Sequence, residues 1–235
     1  MSVARGRNYR KIVYSEEQWR LLGMLRAKAA RLLECLARSS LYAIVHGSVA
    51  RGDVHPGSDV DVFIPVTVSH PVLLETLYAC GEGVFETRIV QATPNYVPKV
   101  YLILDPDESR IVSYPLGQLT RGEREFYKWG GELGLDDLKR EKRVPGVNKD
   151  LLLIIPQDDG HLEMPVIGNE SYTARVVGVS LETVYERVRV LTARREKGRT
   201  GVFLEISVPG DSDLSEVVKR IASKNPFFRK RLGIL

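Results

Sequence analysis

The chain has 235 residues, 43% of them apolar, enough for one medium domain plus a small appended one. It offers no run long enough to span a bilayer and no apolar stretch of the signal-peptide kind behind the basic residues 1–11. Its net charge of +4 is unevenly spread, at nine Lys/Arg against three Asp/Glu in residues 1–45, twelve against twenty in 46–170 and thirteen against seven in 171–235. An acidic centre between basic ends fits a cation-binding core beside surfaces for a polyanion, or simply solvated charge. Cys35 and Cys80 stand far apart without metal-type spacing, and are expected as free thiols in a reducing cytoplasm. The charged fraction and the many Arg and Val residues suit a heat-stable protein.

The first predicted element is a long helix from a Ser15-Glu-Glu-Gln18 capping box to about Arg38, with Trp19, Leu22, Leu25, Ala29, Leu32, Leu33 and Leu36 at helical spacing. Next, an apolar run from Leu41 to Val45 ends in Gly47-Ser48, Ala50-Arg51-Gly52 follows, and a Pro56-Gly57 turn leads into Ser58-Asp59-Val60-Asp61 and a second apolar run. This reads as strand, glycine-serine turn, short helix, turn, strand. Asp59 and Asp61, two residues apart on a strand, point to one face, with Val60 and Phe63 expected on the other, in the core. Two neighbouring carboxylates repel each other, and a divalent cation relieves that repulsion. The glycine-serine turn offers N–H groups and a hydroxyl to phosphate oxygens.

These residues resemble the signature of the DNA polymerase β-like nucleotidyltransferase superfamily, whose pattern is an apolar run, Gly-Gly or Gly-Ser, about ten residues, then Asp-x-Asp or Asp-x-Glu in an apolar strand. Gly47-Ser48 and Asp59-x-Asp61 fill it, and Ala50-Arg51-Gly52 matches the form common in minimal members. The resemblance implies an α+β nucleotidyltransferase fold, a mixed β-sheet flanked by helices. It further implies that Gly47, Ser48 and Arg51 hold the triphosphate of an NTP and that Asp59 and Asp61 are catalytic ligands of two Mg²⁺ ions.

Continuing along the chain, His70-Pro71 opens a second helix to about Cys80, and two β-rich runs, 84–92 and 98–104, read as a hairpin around Thr93-Pro-Asn-Tyr96. Thr120 to Trp129 is a short helix stopped by Gly130-Gly131, residues 134–143 a polar helix or loop, and residues 151–155 and 161–167 a hairpin turning at Asp159-Gly160. Ser113-Tyr-Pro-Leu and Glu125-Phe-Tyr-Lys-Trp-Gly-Gly131 are similar to a group of archaeal proteins described only as predicted nucleotidyltransferases, a likeness that spans most of the chain and gives no substrate.

Residues 173–191 resemble a helix-turn-helix, with Gly178 at the turn, Ser180 capping the second helix, and Arg187, Arg189, Arg194, Arg195 and Lys197 on or after it. A turn at 198–201 and a β-prone run at 202–208 would form the wing of a winged helix, followed by an amphipathic helix from about Leu214 to Ser223 and an aromatic, basic tail. The expected partition is a catalytic domain over 1–120, a connecting helix and hairpin over 121–170, and a C-terminal helix-turn-helix-like module over 171–235, for which contact with nucleic acid is one of two readings. The competing reading of that module is a helical and β unit packed on the catalytic domain to shape its cleft.

The resemblance also implies a third carboxylate on a strand beside the Asp-x-Asp strand. If 98–104 is that strand, the matching position is near Tyr101, a phenol; Glu86 and Asp105 are substitutes in another register, or ordinary surface carboxylates. His46, His55 and His161 lie near turns and receive no role, while Arg121, Glu123, Arg124, Tyr127 and Lys128 are placed as cleft-lining candidates. The favoured function is Mg²⁺-dependent transfer of a nucleoside monophosphate from an NTP to a hydroxyl on RNA, protein or a small molecule. The alternatives are a nucleotidyltransferase-fold protein, weak or inactive in catalysis, that binds RNA or DNA through residues 171–235, and an antitoxin-type enzyme acting on a partner protein.

Overall fold

The computed structural model describes residues 9–198, 201–210 and 212–233. In chain order the elements are β1 (Arg10–Val13), α1 (Glu16–Arg38), β2 (Ile44–His46), α2 (Ser48–Arg51), β3 (Val60–Phe63), α3 (His70–Ala79), β4 (Glu86–Gln91), β5 (Lys99–Ile103) and β6 (Arg110–Pro115). There follow α4 (Arg121–Gly130), β7 (Glu132–Gly134), α5 (Leu135–Lys139), β8 (Gly146–Val147), β9 (Leu152–Gln157), β10 (Gly160–Pro165), α6 (Glu170–Val177), α7 (Leu181–Lys197), β11 (Leu204–Val208), α8 (Leu214–Lys224) and α9 (Pro226–Leu232). Seven strands form one sheet in the order β11-β4-β5-β6-β3-β2-β7, and β1-β10-β9-β8 form a second. The larger sheet is antiparallel except for β3 against β6.

Helix α1 follows its sequence closely. Ser15 accepts the Gln18 N–H at 3.2 Å, and Glu16, Glu17 and Arg38 sit at the ends that complement the helix dipole. The Gln18 side chain turns to the Val54 carbonyl, so the expected capping box is only half made. The leucine stripe is buried against the sheet's Val60, Val62, Val100, Leu102 and Val112, each buried leucine contributing about 2 kcal/mol. Helices α3, α8 and α9 cover the same face, through Leu73, Leu77, Val217, Ile221 and Phe228.

A second core joins Trp129 of α4 to Val147, Leu153, Met164, Val166 and the α6–α7 residues Ala174, Val184 and Leu191. The C-terminal segment is therefore divided between two cores. Gly178 (φ 75°) and the Ser180 cap do make the expected turn between α6 and α7. However, β11 is no wing: it pairs antiparallel with β4 at the edge of the main sheet, and α8 and α9 pack on the main core. The turn expected through Arg199 and Thr200 lies outside the described residues, as do residues 1–8.

Three further expectations are corrected. Cys35 and Cys80 are joined in a disulfide, with Cα atoms 6.0 Å apart, because α1 and α3 lie side by side on one face. That removes the free thiols on which a reducing cytoplasm was expected; no described helix is long and apolar enough to cross a membrane. Phe63 lies on the Asp61 face, as a period of two requires, and Val62 joins Val60 in the main core. Finally, the 98–104 strand is not beside the aspartate strand: β6, which the sequence reading did not resolve as a strand, lies between β5 and β3.

Candidate active site

The β2–α2 corner is built on Gly47, whose backbone (φ 81°, ψ −146°) is costly for any residue with a Cβ. Its N–H donates to the Gly131 carbonyl at 2.9 Å, fixing the corner against the end of α4. Ser48 opens α2, where the first N–H groups of a helix have no intrahelical partner. Its hydroxyl donates to the Ser58 hydroxyl at 3.2 Å, which ties the corner to the residue before Asp59. Ser58 in turn accepts the His55 N–H, and His55 Nδ1 accepts the Gly57 N–H, so His55 serves the turn's geometry. Backbones converge here: a Cβ on Gly146 would stand 2.6 Å from the Gly131 nitrogen, which only a glycine avoids.

Asp61 sits in the centre of the sheet, paired with His46 on β2 and Ile111 on β6. Burial first, and the neighbouring Asp59 charge second, push the Asp61 carboxyl up to about 7; Lys149, from the β8–β9 loop, pulls the other way. Among the described residues neither aspartate side chain receives a hydrogen bond or an ion pair, so the more distant charge of Lys149 offsets only part of the cost. Tyr101 faces it from β5, its phenol pushed up to about 12 by burial and by Asp61. Phe63 stacks on Tyr127 of α4 (centroids 3.8 Å apart), and His46 stands edge-on to Tyr127 at 4.9 Å. Burial holds His46 down at about 3, with Lys99 and Arg51 adding to the effect, so it is a neutral imidazole at ordinary pH.

Arg51 does not face this pocket. It is buried, donates two bonds of 2.9 Å to the Asp53 carboxylate, and its Nη1 reaches the Gly130 and Val147 carbonyls. Its guanidinium joins α2 to the second core, whereas the resemblance led to the expectation that it holds the triphosphate. The substitutes for a third carboxylate are equally committed. Glu86, on β4, is three strands from Asp61, about 14 Å at the usual strand spacing. It is held near 2 by Arg88 and Ser207. Asp105 binds Arg110 at 2.7 Å and Ser109 at 2.9 Å. On β6, the strand adjoining Asp61, the positions on that face are Ile111 and Ser113.

Of the cleft-lining candidates on α4, Tyr127 alone is placed against the Asp61 face. Glu123 is buried in the helix's capping box and binds Val97 and Arg231, Arg124 pairs with Glu132, Arg121 with Glu125, and Lys128 is exposed. His161 is buried elsewhere, on Tyr14.

The donor set therefore comprises two carboxylates and no third His, Cys, Asp or Glu in a metal-binding group among the described residues. Oxygen-only donors, with Asp61 half-buried and unpaired among the described residues, fit a hard divalent cation of the Mg²⁺ class, which commonly takes one or two carboxylates and completes its shell with water and substrate phosphates. They do not provide separate protein ligands for two such ions.

Residues 30–115, which carry the corner, both aspartates and strands β2 to β6, match the family model described as a nucleotidyltransferase domain. No curated protein and no solved structure matches the chain.

Proposed function

We propose, from the match of residues 30–115 to a nucleotidyltransferase domain, that the chain moves a nucleoside monophosphate from an NTP to a hydroxyl acceptor, with release of pyrophosphate, using a divalent cation, Mg²⁺ by its donor chemistry. The carrying observation is Asp61: a half-buried carboxylate, raised to about 7, beside Asp59 and without a hydrogen bond or ion pair among the described residues. Asp59 and Asp61 would hold the cation. When bound, it would neutralise the phosphates and ease ionisation of the attacking hydroxyl. The Gly47-Ser48 corner binds and orients the polyphosphate through N–H groups and the Ser48 hydroxyl. Lys149 supplies positive charge beside Asp61. Tyr101, Phe63, Tyr127 and neutral His46 surround Asp61 on its face of the sheet with rings, which lowers the local polarity around the carboxylate.

The test is label transfer from radiolabelled NTPs, with Mg²⁺ or Mn²⁺, to cellular RNA, protein and small hydroxyl compounds. The wild-type chain is expected to yield a labelled product and Asp61→Asn to reduce it by at least 10³-fold; undiminished transfer by that variant would overturn the assignment. The missing third carboxylate favours one second reading, a nucleotidyltransferase-fold protein that binds nucleic acid without efficient chemistry. A wild-type chain that transfers no label yet retards RNA or DNA in a gel would decide for it.

A further inference from the structure

Two cations, Lys99 and Arg187, form no ion pair among the described residues. Lys99, two residues before Tyr101 on β5, points the same way as Tyr101 and reaches α4, where its ammonium donates to the Tyr127 hydroxyl at 2.8 Å. It lies 5.4 Å from the Phe63 ring, 4.9 Å from Tyr127 and 5.8 Å from Phe126. Arg187 comes from a distant part of the chain: α7 carries it in so that its guanidinium lies 4.9 Å from the centre of that same Phe126 ring. Among the described residues neither side chain forms an ion pair, Arg187 has no hydrogen-bond partner, and its Nε is buried and unsatisfied.

The nearby carboxylates are used elsewhere. Glu186 takes the Tyr96 hydroxyl, and Glu123 takes Arg231, Thr120 and the Val97 N–H. Partly buried Lys and Arg are ordinarily paired, because removing their charge from water is costly. Burial accordingly draws Lys99 down to about 8 and lowers Arg187 as well. Cation–π contact with one shared ring offsets only part of that cost, of order 1–2 kcal/mol per cation. A guanidinium with a free in-plane donor, an ammonium and an aromatic wall together make a recognition set for a phosphate attached to a planar base.

We infer that Lys99, Arg187 and the Phe126 ring form a phosphate subsite alongside the Asp61 pocket, which takes a phosphate group of a nucleotide-bearing substrate. The inference rests on the proposed reaction only for the identity of that substrate. The phosphate can come from the NTP itself or from an acceptor that carries one.

Binding, not turnover, tests it. The full-length protein in EDTA is titrated calorimetrically at low salt with inorganic tripolyphosphate, then with a short oligoribonucleotide bearing or lacking a 5′-phosphate. Wild type is compared with Lys99→Gln, Arg187→Gln, Arg187→Lys and, as a control, Lys219→Gln, each confirmed as folded by its melting temperature. The expected result is a tenfold or greater loss of affinity for at least one phosphate probe in both Lys99→Gln and Arg187→Gln, partial retention in Arg187→Lys, and no loss in Lys219→Gln, an exposed position on α8. Loss confined to tripolyphosphate identifies the NTP as the source, and loss confined to the 5′-phosphorylated oligonucleotide identifies the acceptor. Unchanged affinity for both probes in folded Lys99→Gln and Arg187→Gln overturns the subsite. Because no divalent ion is present, loss of label transfer elsewhere leaves this result intact, and the reverse also holds.

Discussion

Arg51 and Asp61 occupy the same signature and do opposite work. Asp61 is half-buried and, among the described residues, accepts no hydrogen bond and forms no ion pair, which suits a cation ligand. Arg51 is buried with every contact supplied by the protein: Asp53, Gly130 and Val147. Replacing Arg51 by Gln leaves the Asp53 carboxylate, 11% exposed, without its partner. By the cost of breaking a buried pair, Arg51→Gln is expected to lose about 3–5 kcal/mol of stability, read from denaturant unfolding. Nucleotide affinity, measured on the folded fraction, should change little. A tenfold loss of affinity at unchanged stability would return Arg51 to the triphosphate. The Gly-Ser corner and the alternation of Asp59 and Asp61 were plain from local spacing. What each charged group faces was not, because Gly130, Val147 and Lys149 arrive from about 80 to 100 residues further on.

Among the elements, α4 and α7 meet through apolar contacts of the second core and through one buried carboxylate. Glu125 of α4 is buried at the start of α7 and accepts the Ser180 N–H and hydroxyl and the Thr183 hydroxyl at 2.7–2.8 Å. Burial alone would raise its carboxyl, but these bonds and Arg121 outweigh it and hold Glu125 at about 2. Its folded pKa is thus below the unfolded one. The stabilisation is complete above the ordinary glutamate range, near 4, and disappears as pH falls through about 2, for a total of about 3 kcal/mol. Stability measured between pH 5 and 2 should therefore fall more steeply in wild type than in Glu125→Gln, which lacks the titrating group. Equal slopes would show that Glu125 does not hold this joint. The same joint is what delivers Arg187 to Phe126, so helix docking and the phosphate subsite share one anchor.

Elements with local signals were legible. Ser15 and Thr120 cap their helices, Pro71 lies in the first turn of α3, and residues 84–104 make their hairpin. Strand β6 was not, because Val112, Ser113, Tyr114 and Pro115 are all buried and an inner strand covered on both faces shows no alternation to read.

Across the whole molecule, chain order and spatial order part company. Residues 171–235 read as one appended module, yet α6 and α7 complete the second core while β11, α8 and α9 close the first. The basic α7 accordingly has two sides: Arg187 is turned inward, whereas Arg189, Arg194 and Lys197 are exposed. The Cys35–Cys80 disulfide, 45 residues apart in sequence, encloses the entire motif from β2 to β3 between α1 and α3. For a loop of that length the chain-entropy contribution is about 4 kcal/mol. The double variant Cys35→Ser/Cys80→Ser, or the wild type in strong reductant, should lose stability on that scale in chemical denaturation. Identical midpoints with and without reductant would mean that the bond is not formed in solution.

The sequence by itself determined the corner and the paired carboxylates, since the period of a strand and the freedom of a glycine are local properties that no packing reverses. Tertiary structure alone decided that Tyr101 faces Asp61 where a third acid was sought, that Arg51 is an internal tie, that the cysteines are bonded, and that Lys99 and Arg187 share a ring. Each of these depends on which distant segments become neighbours, and that is set by the burial of two cores rather than by any spacing along the chain.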